Sequence, residues 1–407
     1  MSNYLKLKKY QNLFKKGYID NDFISLQNIF ENLDKIFTVS RINILRYNIN
    51  IKLFRLLNYI CSLKIRKHYT STIHYWIPLS NSKNIYDHRS KYFLSSRSIK
   101  NQINLIRTNS FISSLRLVFS LPNVIFLNGF QRKTSFKEIK KLKNLRNKCL
   151  FYEKNEKILS ENLKKFFLKN NIKKLICIDD YRIIQTLLEA SKPLKIKTVA
   201  YQHGRFNDFQ LCFKGKTFDE FIVWSNFFKK ELIKINENYS QKKIKVLNFR
   251  FKNIKLNNNS NNILYLCEQK VPIKEIFKDI MLLCKTSSNK KKIFVRLRVK
   301  DDYPKNFLNF LSLQGIKTLK ETTLSEAIHN NNIKYLIAYN STALLEVSLY
   351  NVYPIMLIKN NFYSKYYLKK KIIFKLKKIE NFEILKKKLD SDIGKSKLKK
   401  IKKKIWY

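Results

Sequence analysis

The run TVAYQHGRFNDF, Thr198–Phe209, carries an apolar, strand-like segment straight into Gln202, His203 and Gly204, in a chain that has only five histidines. An imidazole titrates near neutrality, so a histidine at a strand end can take the proton from a hydroxyl about to attack. A glycine beside it lets the backbone come close to a ligand. The competing use is a turn histidine bonded to a backbone carbonyl, and the short run alone leaves both readings open. Asp179 and Asp180 close the preceding apolar run, KKLICIDD. Ligands of open parallel sheets bind at the carboxyl ends of strands, so Asp180 and His203 would border one cleft.

A second constellation is YLIAYNSTALLEVSLYNVYPIML. A strand is expected to end at Asn340, with Asn340 as N-cap and Ser341 and Thr342 opening an apolar helix. Hydroxyls beside free N–H groups at a helix start suit an anion. Glu346, four residues past Thr342 on the same helix face, would accept hydrogen bonds from ribose hydroxyls. The other reading leaves Asn340 as a cap alone and Glu346 in solvent. The third constellation is FVRLRVKDD, where a strand sets Arg296 and Arg298 on one face; guanidinium groups bind phosphate bidentately, although a chain this basic places some arginines by chance.

The elements that must position these groups alternate. STIHYWI, NVIFLNG, KKLICIDD, KIKTVAYQHG, FDEFIVWS and KKIKVLNFRF read as strands, with YRIIQTLLEAS and SNFFKKELIKI as helices between them. Such alternation indicates a parallel sheet with helical crossovers. The polar stretch LNNNSNN, Leu256–Asn262, reads as a linker. Strand and helix then resume through NILYLCEQ, IKEIFKDIMLLCK and KKIFVRLRVK. The fold class expected is α/β, two tandem Rossmann-like domains, with residues 1–255 as the first, 256–385 as the second and 386–407 as a basic helical tail. The first hundred residues read as mostly helical. Within them Ile42, Leu45, Ile49, Leu53, Leu56 and Ile60 recur at helical spacing, and this stripe is taken to pack on its own domain rather than to lie on a membrane. The lysine-dense tail from Tyr363 is either a solvated helix or one drawn to anionic lipid.

Composition narrows the class. The 44% hydrophobic and 14% aromatic content belongs to a folded chain long enough for two cores. Lysine and arginine number 83 against 29 acids, a net charge of +54. The excess is spread along the chain amid abundant Asn, Ile, Phe and Tyr, the pattern of an AT-rich coding bias, so it argues less for nucleic acid than its size suggests. The six cysteines form no CxxC pair and several sit in apolar runs, which fits buried thiols in a reducing cytoplasm and no zinc site. The amino-terminal stretch has no signal-peptide core, and the uncharged run Leu117–Gln131 is too short to span a bilayer.

Taken in order, QHG after a strand, DEFIVWS, an arginine at Arg250, RLRV and NST with a following glutamate resemble the bacterial capsule and lipopolysaccharide glycosyltransferases of GT-B architecture, and more distantly the teichoic-acid glycerophosphotransferases. The likeness covers residues 170–360. It implies two domains facing a cleft, with His203 as general base, Asp180 beside it, and Gln202, Gly204 and Arg250 around the acceptor. Arg296, Arg298, Asn340, Ser341, Thr342 and Glu346 would hold a nucleotide-sugar donor. Two departures stand out: LNFRF lacks the Gly and Pro of the family junction, and Arg298 and Val299 replace a His–Pro pair. No metal and no cofactor is implied. The partners implied are the donor, a surface or lipid-linked glycan and, at the inner face of the membrane, anionic lipid. The competing classes are a nucleic-acid-binding protein, suggested by charge and 23 tyrosines, and a nucleotide-sugar epimerase on the same scaffold.

Overall fold

A computed structural model describes residues 41–65, 71–76, 101–108, 111–142, 145–178, 183–206, 213, 215–247, 260–268, 271–287, 292–297, 303–319, 323–358 and 367–407. The described residues fall into two compact units. The first holds those up to Val223 together with Lys229–Leu247, and the second holds Trp224–Phe228 and those from Ser260 to Tyr407.

In the first unit the order is α1 (Arg41–Lys64), β1 (Thr72–Trp76), β2 (Ile103–Ile106), α2 (Phe111–Ser120), β3 (Val124–Phe126), α3 (Phe136–Lys140), α4 (Leu145–Lys169), β4 (Lys174–Ile178), α5 (Ile184–Ser191), β5 (Lys197–Tyr201), β6 (Glu220–Val223), α6 (Asn226–Ile235) and β7 (Lys243–Val246). The sheet runs β3-β2-β1-β4-β5-β6-β7 with every pairing parallel. Strands covered on both faces are mainly apolar, and INLI, VIF and EFIV are buried at every position, their polar members Asn104 and Glu220 partnered by the Pro122 carbonyl and by Lys245. The sequence reading had no strand at β2, which sits between β1 and β3.

The second unit runs β8 (Asn262–Leu266), α7 (Ile273–Thr286), β9 (Ile293–Arg296), α8 (Lys305–Leu313), β10 (Lys317–Leu319), α9 (Leu324–Asn330), β11 (Ile333–Ala338), α10 (Ala343–Glu346), β12 (Tyr353–Leu357), β13 (Phe374–Leu376), α11 (Phe382–Asp390) and α12 (Asp392–Trp406). Its parallel sheet is ordered β10-β9-β8-β11-β12-β13. Chain order reverses between β1 and β4 in one sheet and between β8 and β11 in the other. Switch points of this kind are where ligands of open α/β sheets bind, at the strands' carboxyl ends.

Two expectations need correction. The stripe Ile42, Leu45, Ile49, Leu56 and Ile60 of α1 is the exposed side of that helix; the buried side is Ile44, Ile51, Phe54, Leu57 and Cys61. The lysine-dense segment is not one solvated helix either. Phe374–Leu376 adds a parallel strand beside β12, and Ile372, Ile373, Phe374 and Leu376 are buried. Lys375 faces outward between the buried Phe374 and Leu376 because a strand points successive side chains to opposite faces. In α12 the apolar residues Leu398, Ile401, Ile405 and Trp406 are buried. Trp406 stacks on Trp224 at 6.3 Å and donates its indole N–H to Ser348 Oγ at 3.0 Å.

Candidate functional site at two strand edges

In the first unit, β5 ends at Tyr201, and the next residue keeps the ladder: the Gln202 N–H donates to the Ile222 carbonyl at 2.9 Å. The buried Gln202 amide then turns back and donates to the Gly204 carbonyl at 2.7 Å. Phe206, fully buried, packs edge-on against Phe213 and Phe221 at 5.2 and 5.7 Å. Anchors on both sides therefore leave His203 and Gly204 as the half-buried crest of a short loop. Gln202 thus shapes the loop that carries His203.

Behind this loop lies a buried polar chain that sequence reasoning missed. His74 of β1 meets the Tyr201 hydroxyl through Nε2 at 3.0 Å, and its Nδ1 faces the Gln102 amide nitrogen at 3.3 Å. Gln102 donates to Asn104 Oδ1 at 3.2 Å, and Asn104 donates onward to the Pro122 carbonyl at 2.9 Å. Burial pushes the His74 imidazole down to about 3, so it stays neutral and can bridge an amide and a phenol as acceptor and donor at once.

In the second unit the carboxyl ends of β9, β8 and β11 lie side by side. Glu268, two residues past β8, extends its carboxylate to the backbone beyond β11. It accepts the N–H groups of Tyr339 at 2.8 Å, Asn340 at 2.8 and 3.0 Å, and Ser341 at 3.1 Å. Three successive amides thus converge on one anion, which the protein itself supplies. The loop is held below as well. Tyr339 and Tyr265 both donate their hydroxyls to Asp279 Oδ2, the latter at 3.0 Å, and the Tyr367 hydroxyl donates to the Ser341 carbonyl at 3.0 Å. Burial raises the Asp279 carboxyl to about 6.

This arrangement corrects the expected cap. Asn340 does not open the helix: α10 is one turn, its N-cap is Thr342 without a side-chain cap bond, and Ser341 Oγ accepts the Ala343 N–H at 3.2 Å. Val347–Tyr350 continues as a tighter turn. The Asn340 amide is committed to Glu268 instead.

No protein-family model matches the chain, and no curated protein matches it. Solved structures do. UGT89C1 of Arabidopsis thaliana, complexed with UDP, aligns over 83% of this chain and 94% of its own at 10% identity and a TM-score of 0.52. MurG of Acinetobacter baumannii aligns over 82% and 94% at 10% identity and 0.51. CalG4, the calicheamicin glycosyltransferase, aligns over 82% and 94% at 7% identity and 0.52. The fold is that of the GT-B glycosyltransferases.

Within this GT-B fold, several of the residues singled out from sequence lie along one edge of the second sheet. Arg296 ends β9, half-buried, and its carbonyl accepts the N–H of Cys267, the neighbour of Glu268. Ser341, Thr342 and Glu346 are half-buried along the turn after β11, with Leu344, Leu345 and Val347 beneath them fully buried. Gln202, His203 and Gly204 stand at the corresponding edge of the first sheet. Asp180, Arg250 and Arg298 lie outside the described residues.

Proposed function

We propose that this protein transfers a sugar from a nucleotide-activated donor to a hydroxyl of a glycan. The observation that carries the reading is the loop Tyr339–Glu346, pinned at the switch point of a Rossmann-like unit in a chain whose fold UDP-complexed UGT89C1 shares over 83% of its length. His203 takes the proton of the acceptor hydroxyl as its oxygen attacks the anomeric carbon. The bond from that carbon to the donor phosphate breaks, and the nucleotide leaves with the electron pair. Glu346 accepts the ribose hydroxyls.

The leaving phosphate needs positive partners. Glu268 already fills the amides of Tyr339, Asn340 and Ser341, and its carboxylate repels a second anion. The phosphate is therefore held by Arg296 and by the hydroxyls of Ser341 and Thr342. Gln202 and Gly204 set the height of His203 toward the acceptor. Asp180, Arg250 and Arg298 belong to this proposal on sequence grounds alone. The acceptor is a surface glycan of the capsule or lipopolysaccharide kind, lipid-linked at the inner face of the membrane.

The test is a thermal-shift series with CMP, CDP, UDP and GDP at about 0.3 M salt, where loose anion binding is screened. One nucleotide is expected to stabilise the protein selectively, with the shift lost in Glu346→Ala and kept in His203→Ala. Equal shifts with all four, or none, would remove the donor site. Release of nucleotide only when a glycan acceptor is present then separates transfer from epimerisation, which needs no acceptor.

A further inference from the structure

The helix α1 carries two apolar faces, one buried through Ile44, Ile51, Phe54, Leu57 and Cys61 and one exposed. Its polar residues fasten it to its own unit: Asn48 exchanges hydrogen bonds with the backbone of Thr134 at 2.7 and 2.9 Å, and Asn58 does so with Phe126 at 2.8 and 2.7 Å. Arg55 donates to the carbonyls of Gly129 and Gln131 at 3.3 and 2.8 Å. The apolar residues Ile42, Leu45, Ile49, Leu56, Ile60 and Leu63, with the half-buried Leu53 between Ile49 and Leu56, form a stripe of three- and four-residue steps along the outer side, with Leu45 at 61%, Leu56 at 57% and Leu63 at 70% exposure. The stripe runs the length of the helix.

A second helix extends this surface. Phe54 of α1 meets Phe111 of α2 edge-on at 5.7 Å, and α2 presents Phe119 at 86% exposure and Ile112 at 81%. Where the two helices end, a cavity of about 630 Å³ opens between Cys61 and Lys64 on one side and Val118–Leu121 on the other. Val118, Phe119, Leu121, Pro122 and Val124 make its apolar walls, and Lys64, Asn101, Ser120 and Asn123 make its polar ones. Together the two helices carry six basic residues, Arg41, Arg46, Lys52, Arg55, Lys64 and Arg116, and no acidic one.

From these features we infer that α1 and α2 form a docking face for an anionic lipid bilayer. An apolar stripe flanked by arginine and lysine is what a helix lying in the headgroup plane presents, leucines toward the acyl chains and cations toward phosphate. A helix facing only water would carry polar side chains along that outer side. The cavity matches the same partner: an apolar slot for part of a lipid tail, with a lysine at the level of its headgroup. The basic helix α12 does not compete for this role, because Leu398, Ile401, Ile405 and Trp406 are buried in the second unit and Ile393 alone of its aliphatic residues is exposed, with no apolar stripe beside it. The docking face owes nothing to the transferase reading, and either can fail without the other.

The experiment is co-sedimentation of the full chain with phosphatidylcholine vesicles and with equimolar phosphatidylcholine–phosphatidylglycerol vesicles. The wild type is expected to bind the mixed vesicles and to bind neutral ones far less. The exposed triple variant Leu45→Gln, Leu56→Gln, Phe119→Ser should weaken binding at least about tenfold with an unchanged melting temperature in the absence of lipid. A variant with Lys395→Ser and Lys399→Ser on the outer side of α12 should bind as the wild type does. Absence of binding to mixed vesicles, retention by the triple variant, or equal loss in the α12 variant would each overturn the inference. So would a concentration-dependent dimer, abolished by the triple variant, that shows no vesicle binding: the occupant would then be a second copy.

Discussion

Glu268 stands opposite Asn340: β8 pairs with β11 so that Tyr265 lies beside Ile337, and three residues further on both carboxylate oxygens receive the Asn340 N–H, at 2.8 and 3.0 Å. The contact closes the switch point of the second sheet with an anion that belongs to the chain. A substrate anion arriving here meets a filled amide nest and must find its partners in side chains.

Removing that carboxylate leaves three backbone donors in search of an acceptor. Glu268→Ala is expected to lower stability by about 1–3 kcal/mol, the cost of leaving partly buried polar groups unpaired. Glu268→Gln keeps one carbonyl oxygen and should recover part of the loss. Urea unfolding measures both. Inorganic pyrophosphate should protect Glu268→Ala more than it protects the wild type, since the vacated amides then accept an external anion. Equal protection would mean that the nest stays closed without Glu268.

Asp279, under the same loop, gives a pH signature. Burial raises its carboxyl to about 6, against an ordinary value near 3.8. The folded protein thus holds this proton more tightly than the unfolded chain. Its contribution to stability is complete below pH of about 4 and is lost as pH rises through 6. The melting temperature of the wild type relative to Asp279→Asn should accordingly fall between those values and stay level above them. A difference that is flat across the whole range would place the carboxyl at its ordinary value.

Much of this is legible in the sequence. The alternation of apolar runs with helical ones announces parallel sheets because strands covered on both faces have no polar side to show. The placement of His203 past β5, and of Ser341, Thr342 and Glu346 past β11, follows from that alternation. What escaped notice were relationships across strands. Glu268 looks ordinary within LYLCEQ until register sets it against Asn340, and His74 looks like a lone polar residue in TIHYW until β2, unread as a strand, brings Gln102 and Asn104 beside it. The stripe on α1 was visible but its direction was not. Periodicity reveals that a helix has two faces, and only the partners of Asn48 and Asn58 reveal which one is inside.

The crest at His203 makes a separable prediction. Gln202→Ala removes the bond to the Gly204 carbonyl, so it should cost about 1 kcal/mol of stability and lower turnover with donor affinity unchanged. His203→Gln should leave the melting temperature unaltered and reduce turnover by about 10²–10⁴, the range for a lost general base. Steady-state kinetics with varied donor and acceptor distinguish them. Full activity in His203→Gln would return that histidine to the role of a turn residue.

The last prediction concerns what holds that crest in place. His74 is fully buried, and its imidazole is pushed down to about 3 from an ordinary 6.5. The unfolded chain takes up a proton at this position before the folded one does. Stability is therefore complete above pH of about 6.5 and drains away as pH falls toward 3, by up to about 1.4 kcal/mol per pH unit. In His74→Gln the side chain cannot titrate, yet it can still reach the Tyr201 hydroxyl. Unfolding free energies of the two proteins from pH 5 to 8 should run parallel above about 6.5 and diverge below it, with the wild type losing ground. Parallel curves throughout would show that His74 protonates freely. In that case the chain from Asn104 to Tyr201 could not be the rigid support from which Gln202 and His203 are presented.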